Sequence, residues 1–411
     1  MSHAAGGGRL LLLGVSARAL ARSAASSHLA TAAWPGGLVV LDYFADDDLH
    51  DLPGGRLVDS LALGRDIRRR RSVLALGRAA LDLSWDAAAY AGGLENRPVI
   101  LERLTASGRL LGNDAATVRR VRDPRVLYPF LRRIGIPHAS TPQTGHRAPK
   151  TPGRRFLWKA VRSGSGGRVR DAQAGERRPR GHFLQEFVRG PVLSAAFVAA
   201  QGRAVMLGIS ELIVGFEPLG GTGFRYGGNI TGSPETMLPG AALESIDVLV
   251  DALASRFGLT GLNGVDFVLV GERPHLIEVN PRYTASMEII EDLTGRNLFD
   301  IHLEAIDEGR LPAGPLMPAR DAPARLAKGV LYARSDVRSG DPRTLERLGC
   351  RDRPIRGESI RAGQPVCTIL VEGSSRAACR RSLAARATRV RRTLRSREGA
   401  RRLLSARAGT C

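Results

Sequence analysis

The sequence predicts a protein of mixed α/β and α+β class that is divided into domains. Three observations indicate this class. Short apolar runs alternate with helix-like segments over residues 9–103, which is typical of a parallel sheet. Residues 182–212 alternate between apolar and polar in the way antiparallel strands do, and residues 261–282 read as a hairpin. The length of 411 residues exceeds what one hydrophobic core normally organises.

The first segment, residues 1–115, is predicted to form a doubly wound parallel sheet. Its predicted strands are the apolar runs at residues 10–15, 38–44, 72–77 and 97–103. A helix is expected to open at Ser16, because serine is a favoured N-cap residue. The turn before it could hold an anion at the helix N-terminus, but it lacks the full GxGxxG pattern of dinucleotide sites.

The middle segment, residues 116–305, is expected to be an α+β unit. A helix should end at Gly135, and a loop rich in Pro, Gly and Thr should follow over 142–154. Next comes a strand that carries Lys159, then a glycine-rich loop, antiparallel strands and a helix from about Ala241 to Phe257. The predicted hairpin joins VDFVLV to HLIEVN through residues 271–274.

The last segment, residues 306–411, should be a small β-rich region with a terminal helix. It begins with a Pro- and Gly-rich stretch, contains the strand-like runs LAKGVLYAR and PVCTILVEG, and ends in a basic amphipathic helix from about Ser375.

The net charge of +21 raises the question of nucleic-acid binding. However, 58 of the 61 basic residues are arginines, which suggests a compositional bias on solvated positions. The basic runs also lack interleaved aromatic residues that could stack on bases; they are Arg68–Arg71, residues 177–180, and residues 380–402. The sequence therefore argues against specific nucleic-acid binding, and leaves anionic small substrates or nonspecific polyanion contact open.

The composition also indicates in which cellular compartment the protein is expected. The four cysteines have no CxxC spacing, so a reduced, cytoplasmic protein is expected rather than a disulfide-stapled one. The apolar run at 10–15 is short and is followed by Arg18 and Arg22, which favours a buried strand over a signal peptide. No apolar stretch reaches 18 residues, so no membrane span is expected.

The hairpin carries the main chemical pattern. Side chains alternate along a strand, so Glu278, Asn280 and Arg282 should point to the same side. Asp266 lies on the partner strand. Together they offer hard oxygen ligands of the kind that Mg²⁺ prefers. The alternative is a strand end whose polar face is simply hydrated.

Two upstream features could hold phosphates. The loop Ser163–Gly167 has glycines whose backbone can close over phosphates and point N–H groups at them. Lys159 precedes it in an apolar strand, where an ammonium group is costly without an anion. Alternatively, the loop is an ordinary turn and the lysine extends to the surface.

The order of these motifs resembles the ATP-grasp superfamily over roughly residues 115–305, with EVNPR (278–282) the most diagnostic. The resemblance implies two α+β subdomains that clamp ATP behind an N-terminal Rossmann-like domain. It also implies roles for individual residues. Lys159 would contact the ATP phosphates, and the flexible phosphate lid would be Ser163, Gly164, Ser165, Gly166 and Gly167. The adenine hinge would be Glu186, Phe187 and Val188. The ligands of two magnesium ions would be Asp266, Glu278 and Asn280, and Arg282 would contact the transferred phosphoryl group.

One departure from the family pattern concerns the DK pair that many members carry on the helix before this unit. The corresponding stretch here is Arg122-Asp123-Pro124-Arg125, with proline at the lysine position. Arg122 and Arg125 are both candidates to replace that lysine, although a guanidinium is a poor geometric copy of an ammonium group.

Four further stretches resemble the carboxylate–amine ligases related to biotin carboxylase, including tyramine–glutamate ligase-like proteins. They are GVSARALARSA (14–24), LDYFADDDL (41–49), FRYGGNITG (224–232) and GQPVCTILVEGSS (363–375). They imply an ADP-forming ligase that works through an acyl phosphate, with a role in one-carbon (methanofuran- or methanopterin-type) cofactor biosynthesis and a homodimeric assembly as expectations. Five residues are expected near the substrates: Ser16, Arg18, Arg225, Tyr226 and Asn229. Two alternatives stay open, a non-catalytic ATP-binding regulator and a biotin-carboxylase-like carboligase. A basic scaffold that acts through its arginine-rich tail is a third.

Overall fold

Five parallel strands in the order β3-β2-β1-β4-β5 form the first sheet. In this computed structural model, which describes residues 8–62, 73–142 and 147–408, the strands are β1 Leu10–Gly14, β2 Leu38–Asp42, β3 Leu57–Ala62, β4 Ala87–Tyr90 and β5 Arg109–Leu111. Helices α1 Arg18–Ala25, α2 His28–Ala33, α3 Val73–Leu81 and α4 Pro98–Ser107 accompany them. The predicted doubly wound parallel sheet is confirmed, and its four buried leucines in β1 explain the apolar run there.

Two of the four predicted strands are wrong. Residues 73–77 and 98–103 of these runs belong to α3 and α4, and β3, β4 and β5 take the places in the sheet instead. The physical reason is that a short continuous apolar run fits a buried helix face as well as a strand. The two helices pack closely at Gly77, where an added Cβ would lie 2.7 Å from Ile100.

The first helix also differs from its prediction. It begins at Arg18 rather than at Ser16, and the Ser16 side chain is exposed. Asp42, at the end of β2, accepts a hydrogen bond from the Ala17 N–H at 2.6 Å and so satisfies the helix start from another strand. Ser27 then caps a separate helix, α2, by accepting from the Ala30 N–H at 2.9 Å.

A three-stranded antiparallel sheet follows, in the order β7-β6-β8. Its strands are β6 Phe156–Ala160, β7 Val169–Asp171 and β8 His182–Glu186, preceded by α5 Ala115–Val121 and α6 Pro124–Arg133. The single helix expected to end at Gly135 is thus two helices. Pro124 divides them, because it lacks an N–H and keeps Asp123 extended, and the Asp123 side chain caps α6.

The largest sheet has eight antiparallel strands in the order β13-β12-β9-β10-β11-β14-β18-β16. They are β9 Val192–Ala200, β10 Arg203–Val214, β11 Tyr226–Thr231, β12 Gly261–Val270, β13 Arg273–Asn280, β14 Arg325–Tyr332, β16 Cys350–Arg351 and β18 Pro365–Gly373. Strands β15 Val337–Arg338 and β17 Ser359–Ile360 pair separately. The helices are α7 Pro234–Met237, α8 Gly240–Phe257, α9 Met287–Thr294, α10 Leu298–Asp307, α11 Pro342–Glu346 and α12 Arg376–Ala408. The predicted hairpin is β12–β13, and strands of the last segment extend the same sheet.

The terminal helix α12 packs one face on the large sheet. Its residues Cys379, Leu383, Ala387 and Val390 are buried, at the spacing of a single helix face. Among the described residues, no helix is long and apolar enough to cross a membrane. The basic run Arg68–Arg71 lies outside the described residues.

A buried ion cluster connects the first sheet to the rest of the protein. Glu288, on α9, binds Arg18 and Lys328 at 2.7 Å each and Arg351 at 2.8 Å. Arg18 also binds Asp352 at 2.7 Å. Burial opposes the charge on Glu288, but the three cations outweigh it and hold the pKa of this carboxyl well below its usual range. Arg18, expected to hold an acidic substrate, is therefore committed to the protein's own carboxylates.

Candidate functional site

A cleft of about 280 Å³ lies between the three-stranded sheet and the large sheet. It is lined by all the residues predicted for the ATP and magnesium site except Gly167: Lys159, Ser163, Gly164, Ser165, Gly166, Glu186, Phe187, Val188, Asp266, Glu278, Asn280 and Arg282. Glu278 and Asn280 share a side as strand alternation predicted, whereas Arg282 reaches the cleft from beyond the end of β13 at Asn280.

The β12–β13 hairpin places two carboxylates opposite each other. Asp266 pairs with Glu278 in the strand register, with a β-bulge directly after Asp266. Burial, together with the charge of Glu278, raises the pKa of Asp266 to about 6, against hydrogen bonds from Ser194 and Asn280 that lower it. A buried Asp266 carboxyl with the charge of Glu278 beside it is an arrangement that a divalent cation would relieve.

Asn280 is oriented differently from the expected metal ligand. Its side-chain NH₂ donates to Asp266 at 3.1 Å, and its oxygen accepts from Arg282 at 3.2 Å. The two carboxylates are therefore the ligands that this geometry offers directly, and the amide would have to turn to join them. Within the described part of the chain, no cluster of three or more His, Cys, Asp or Glu side chains suited to a metal is found. This donor set fits Mg²⁺, which commonly uses one or two protein carboxylates and takes its other ligands from phosphate and water.

Arg282 is held from the first sheet. Its Nε donates to Glu95 at 2.9 Å, and Glu95 is almost fully buried in the loop after β4. Burial opposes the charge on Arg282, but the attraction of Glu95 raises the pKa of the guanidinium. The pairing fixes a permanent cation beside the two carboxylates. Glu95 escaped the sequence prediction, although its place after the carboxyl end of a parallel strand is a usual position for functional residues.

Lys159 enters the cleft from β6. Its ammonium group donates to the Ile277 carbonyl at 3.3 Å and lies 6.0 Å from the centre of the Phe183 ring. Burial lowers the pKa of Lys159, whereas the charges of Glu278 and Asp266 raise it. The lysine does not extend to the surface, and an anion in the cleft would stabilise its charged form.

The glycine-rich loop closes one side of the cleft. The Ser165 carbonyl accepts from the Tyr226 N–H at 3.0 Å, which ties the loop to β11. Ser165 and Gly166 both have positive φ, and a Cβ at Gly166 would lie 1.8 Å from the Phe224 carbonyl oxygen. Glycine is therefore required at position 166 for the loop to adopt this closed position.

The segment after β8 offers a limited set of backbone groups. The Glu186 N–H donates to the Ser140 carbonyl at 2.7 Å, and the Phe187 N–H donates to the Arg155 carbonyl at 2.8 Å. Both donors are thus already used inside the protein. An adenine-like ring would have to use the N–H of Val188 and the carbonyl groups of this segment.

Arg122 and Arg125 have different positions. Arg122 lines the cleft with 10% of its side chain exposed, and it lies 3.5 Å from Glu278 and donates to the Ser163 carbonyl at 3.1 Å. The Arg125 side chain is 84% exposed and pairs with Asp123. Only Arg122 of the two candidates therefore faces the cleft.

One part of the cleft carries neutral polar groups. Tyr226 donates to the Asn229 oxygen, and the Asn229 NH₂ donates to Ser210 at 2.9 Å. Tyr226 and Asn229 line the cleft as expected, whereas Ser16, Arg18 and Arg225 do not. Arg225 instead stacks over Tyr332 at 4.9 Å and donates to the Gly363 carbonyl.

Comparison with known proteins identifies this cleft's class. Residues 122–286 match the family model described as ATP-grasp domain, which confirms over these residues the resemblance predicted from the sequence. A biotin carboxylase–β,γ-ATP complex from Campylobacter jejuni has a TM-score of 0.66 at 13% identity, with 90% of this chain and 88% of that chain covered. An L-amino acid ligase from Bacillus licheniformis has a TM-score of 0.62 at 16% identity, with 93% and 98% covered.

The curated relatives match a smaller share of this chain than the solved structures do. An uncharacterised protein of Methanocaldococcus jannaschii is 24% identical over 190 residues, which are 46% of this chain and 42% of that protein. The match thus spans less than half the length of this relative. At these identities the solved structures show a shared fold, and the chemistry of this chain has to be argued from its own cleft.

Proposed function

We propose that this protein is an ATP-dependent, ADP-forming carboxylate–amine ligase that works through an acyl-phosphate intermediate. The observation that carries the proposal is the cleft between the two antiparallel sheets. Asp266 and Glu278 face each other there, with Lys159, Arg122 and Arg282 as the surrounding cations. Such a site can neutralise several phosphate charges at once, which is the main task of a protein that catalyses phosphoryl transfer.

Each part of the cleft has a task in this proposal. The carboxylates of Asp266 and Glu278 would hold Mg²⁺, two ions according to the sequence resemblance, and Asn280 would join them after its amide turns. Bound Mg²⁺ would neutralise charge on the phosphate oxygens. Lys159 and Arg122 would hold phosphates, and the loop Ser163–Gly167 would cover them.

The carboxylate substrate would attack the terminal phosphorus of ATP, and the bond between this phosphorus and the bridging oxygen would break to release ADP. Arg282, fixed by Glu95, would stabilise the charge on the transferred phosphoryl group. An amine would then attack the acyl phosphate, form the amide and release phosphate and a proton. Tyr226 and Asn229, in the neutral part of the cleft, would contact the organic substrates.

Several finer points rest on the sequence resemblance alone. They are a role in one-carbon cofactor biosynthesis and a homodimeric assembly. A cytoplasmic location rests on the cysteine content. The regulator alternative differs in one respect, because a regulator binds ATP without turnover. The proline at the lysine position of the DK pair favours such a regulator, but Arg122 lines the cleft and offers a cation there.

The test measures ADP release with Mg²⁺ across a panel of carboxylates and amines that includes glutamate and tyramine. A bicarbonate and biotin arm tests the carboligase alternative. We expect one acid–amine pair to stimulate ADP release, and Glu278→Gln to abolish the stimulation. Glu272→Gln, at the exposed turn of the same hairpin, is the matched control and should behave as the wild type.

Each contrary outcome has its own meaning. If ATP binds but no acid–amine pair stimulates turnover, the result would support the non-catalytic regulator. Stimulation by bicarbonate and biotin alone would replace the ligase by a carboligase. The absence of ATP binding would overturn the proposal itself.

A further inference from the structure

A second concave surface of about 700 Å³ lies beside the cleft, between helices α5 and α6 and the loops of the three-stranded sheet. Seven arginines and only two carboxylates line it. Four of these arginines come from two loops that are separated in the sequence; they are Arg162, Arg177, Arg178 and Arg180. We call these four residues the arginine basin.

The arginine basin lacks the internal carboxylates that neutralise other arginines of this protein. Arg119 and Arg125, on the helix side, bind Glu102 and Asp123. The two lining carboxylates, Glu95 and Asp123, are therefore already paired, Glu95 with Arg282. For the basin arginines, no ion pair is found among the residues that the structure describes. The surface consequently has an uncompensated positive charge.

The arginine basin adjoins the phosphate end of the cleft. Arg122 lines both cavities, and Pro124, Val161 and Phe183 do so as well. Arg162 directly precedes the glycine-rich loop. A molecule bound in the basin could therefore extend one group past Arg122 towards Lys159 and the two carboxylates of the cleft.

We infer that the arginine basin binds a small polyanion, namely the carboxylate substrate of the proposed ligase, through additional carboxylate or phosphate groups on that substrate. This inference rests on the proposed function, since it names the class of its acyl substrate. Guanidinium groups bind carboxylates and phosphates through paired hydrogen bonds, and four of them converge here. The basin lies in a concave surface of small-molecule size whose only described aromatic rings are the adjacent His182 and Phe183, which favours a small anion over a stacked nucleic-acid strand.

Because arginine is abundant in this chain, the control replaces exposed arginines at another surface. Arg381, Arg389 and Arg392 are exposed on α12, so replacing them removes the same charge from a surface without this concave shape. The triple variant Arg177→Ala, Arg178→Ala and Arg180→Ala is compared with the triple variant Arg381→Ala, Arg389→Ala and Arg392→Ala. The three basin positions are exposed, and thermal unfolding of each variant checks that the fold is kept.

The experiment is calorimetric titration of the full chain with tricarballylate and, separately, with inorganic phosphate. Each is titrated with and without saturating Mg²⁺ and a non-hydrolysable ATP analogue. We expect the wild type to bind at least one probe, the basin variant to bind it about ten-fold or more weakly, and the α12 variant to stay within about two-fold. The relative affinity of the two probes distinguishes carboxylate from phosphate groups on the substrate.

A basin variant with lysines at positions 177, 178 and 180 separates geometry from charge. It should bind the probe more weakly than the wild type, because an ammonium group cannot form the paired hydrogen bonds of a guanidinium. Absence of probe binding to the wild type would overturn the inference, and so would an equal loss in the basin and α12 variants. The binding of the ATP analogue is read in the same titrations, so failure of the proposed function is seen separately from failure of the basin.

Discussion

The buried ion cluster allows a quantitative prediction for Glu288→Gln. Glu288 is 1% exposed and is in contact with three cations at 2.7–2.8 Å. Arg18 and Arg351 keep other carboxylate partners in the variant, namely Asp352 and Asp292. For Lys328, Glu288 provides the one ion pair found among the described residues. The substitution therefore leaves the Lys328 ammonium group buried without its counter-charge.

The magnitude follows from the contact distances. A pair of unit charges at this separation attracts by about 6 kcal/mol at an effective dielectric constant of about 20. Desolvation of the groups offsets much of this attraction in the wild type. Removal of only the carboxylate charge keeps the desolvation cost of the cations, so we expect the variant to lose about 3–5 kcal/mol of unfolding free energy.

The assay is urea denaturation followed by fluorescence and circular dichroism, with titration of an ATP analogue into the folded variant. Glu244→Gln on the exposed face of α8 is the control and should change the free energy by less than about 0.5 kcal/mol. Nucleotide affinity should be unchanged, because Glu288 does not line the cleft. A loss below about 1 kcal/mol would refute the reasoning, since Lys328 would then have found another way to be compensated.

Three further predictions concern the cleft and the core. Gly166→Ala should reduce ATP turnover by about ten-fold or more without changing stability, because the new Cβ would lie 1.8 Å from the Phe224 carbonyl oxygen in the closed loop. A normal rate of ATP turnover in this variant would refute the prediction. Arg122→Ala should weaken binding of an ATP analogue about ten-fold, whereas Arg125→Ala should not; equal effects would contradict the assignment of Arg122. Burial lowers the pKa of His302 to about 4, so its neutral form stabilises the fold fully above about pH 6.5, and about 3 kcal/mol is lost as the pH falls from there to 4. His302→Gln should show a correspondingly smaller loss in urea titrations over this range, and an unchanged pH dependence would exclude His302 as its source.

Much of the candidate site could be predicted from the sequence because its signals are local. The alternation of side chains along a strand is set by backbone geometry, so Glu278 and Asn280 had to share a side in any structure that kept this strand. Arg282 lies beyond the end of β13, and its position depends on its contact with Glu95. The hairpin and the glycine-rich loop depend on neighbouring residues. The order of these motifs along the chain was enough to predict the ATP-grasp resemblance.

Other features were decided by the tertiary structure. Residues 73–77 and 98–103 of two apolar runs became helices, because the pattern of a short buried run does not distinguish a helix from a strand. Arg18 reads in the sequence as a free cation at a helix start, yet it is buried against carboxylates from distant segments. Its environment depends on which elements pack against α1, and local periodicity carries no such information.

The partners of the cleft residues show the same division. Glu95 and Arg282 are 187 positions apart in the sequence, yet they form a hydrogen bond. The direction in which α6 leaves Pro124 determines that Arg122, and not Arg125, faces the cleft. The arginine basin exists only because two loops and two helices converge. The sequence by itself determined which chemical groups the chain carries and which neighbours share a strand face. The tertiary structure decided which distant charges meet, because burial and electrostatic pairing depend on long-range packing.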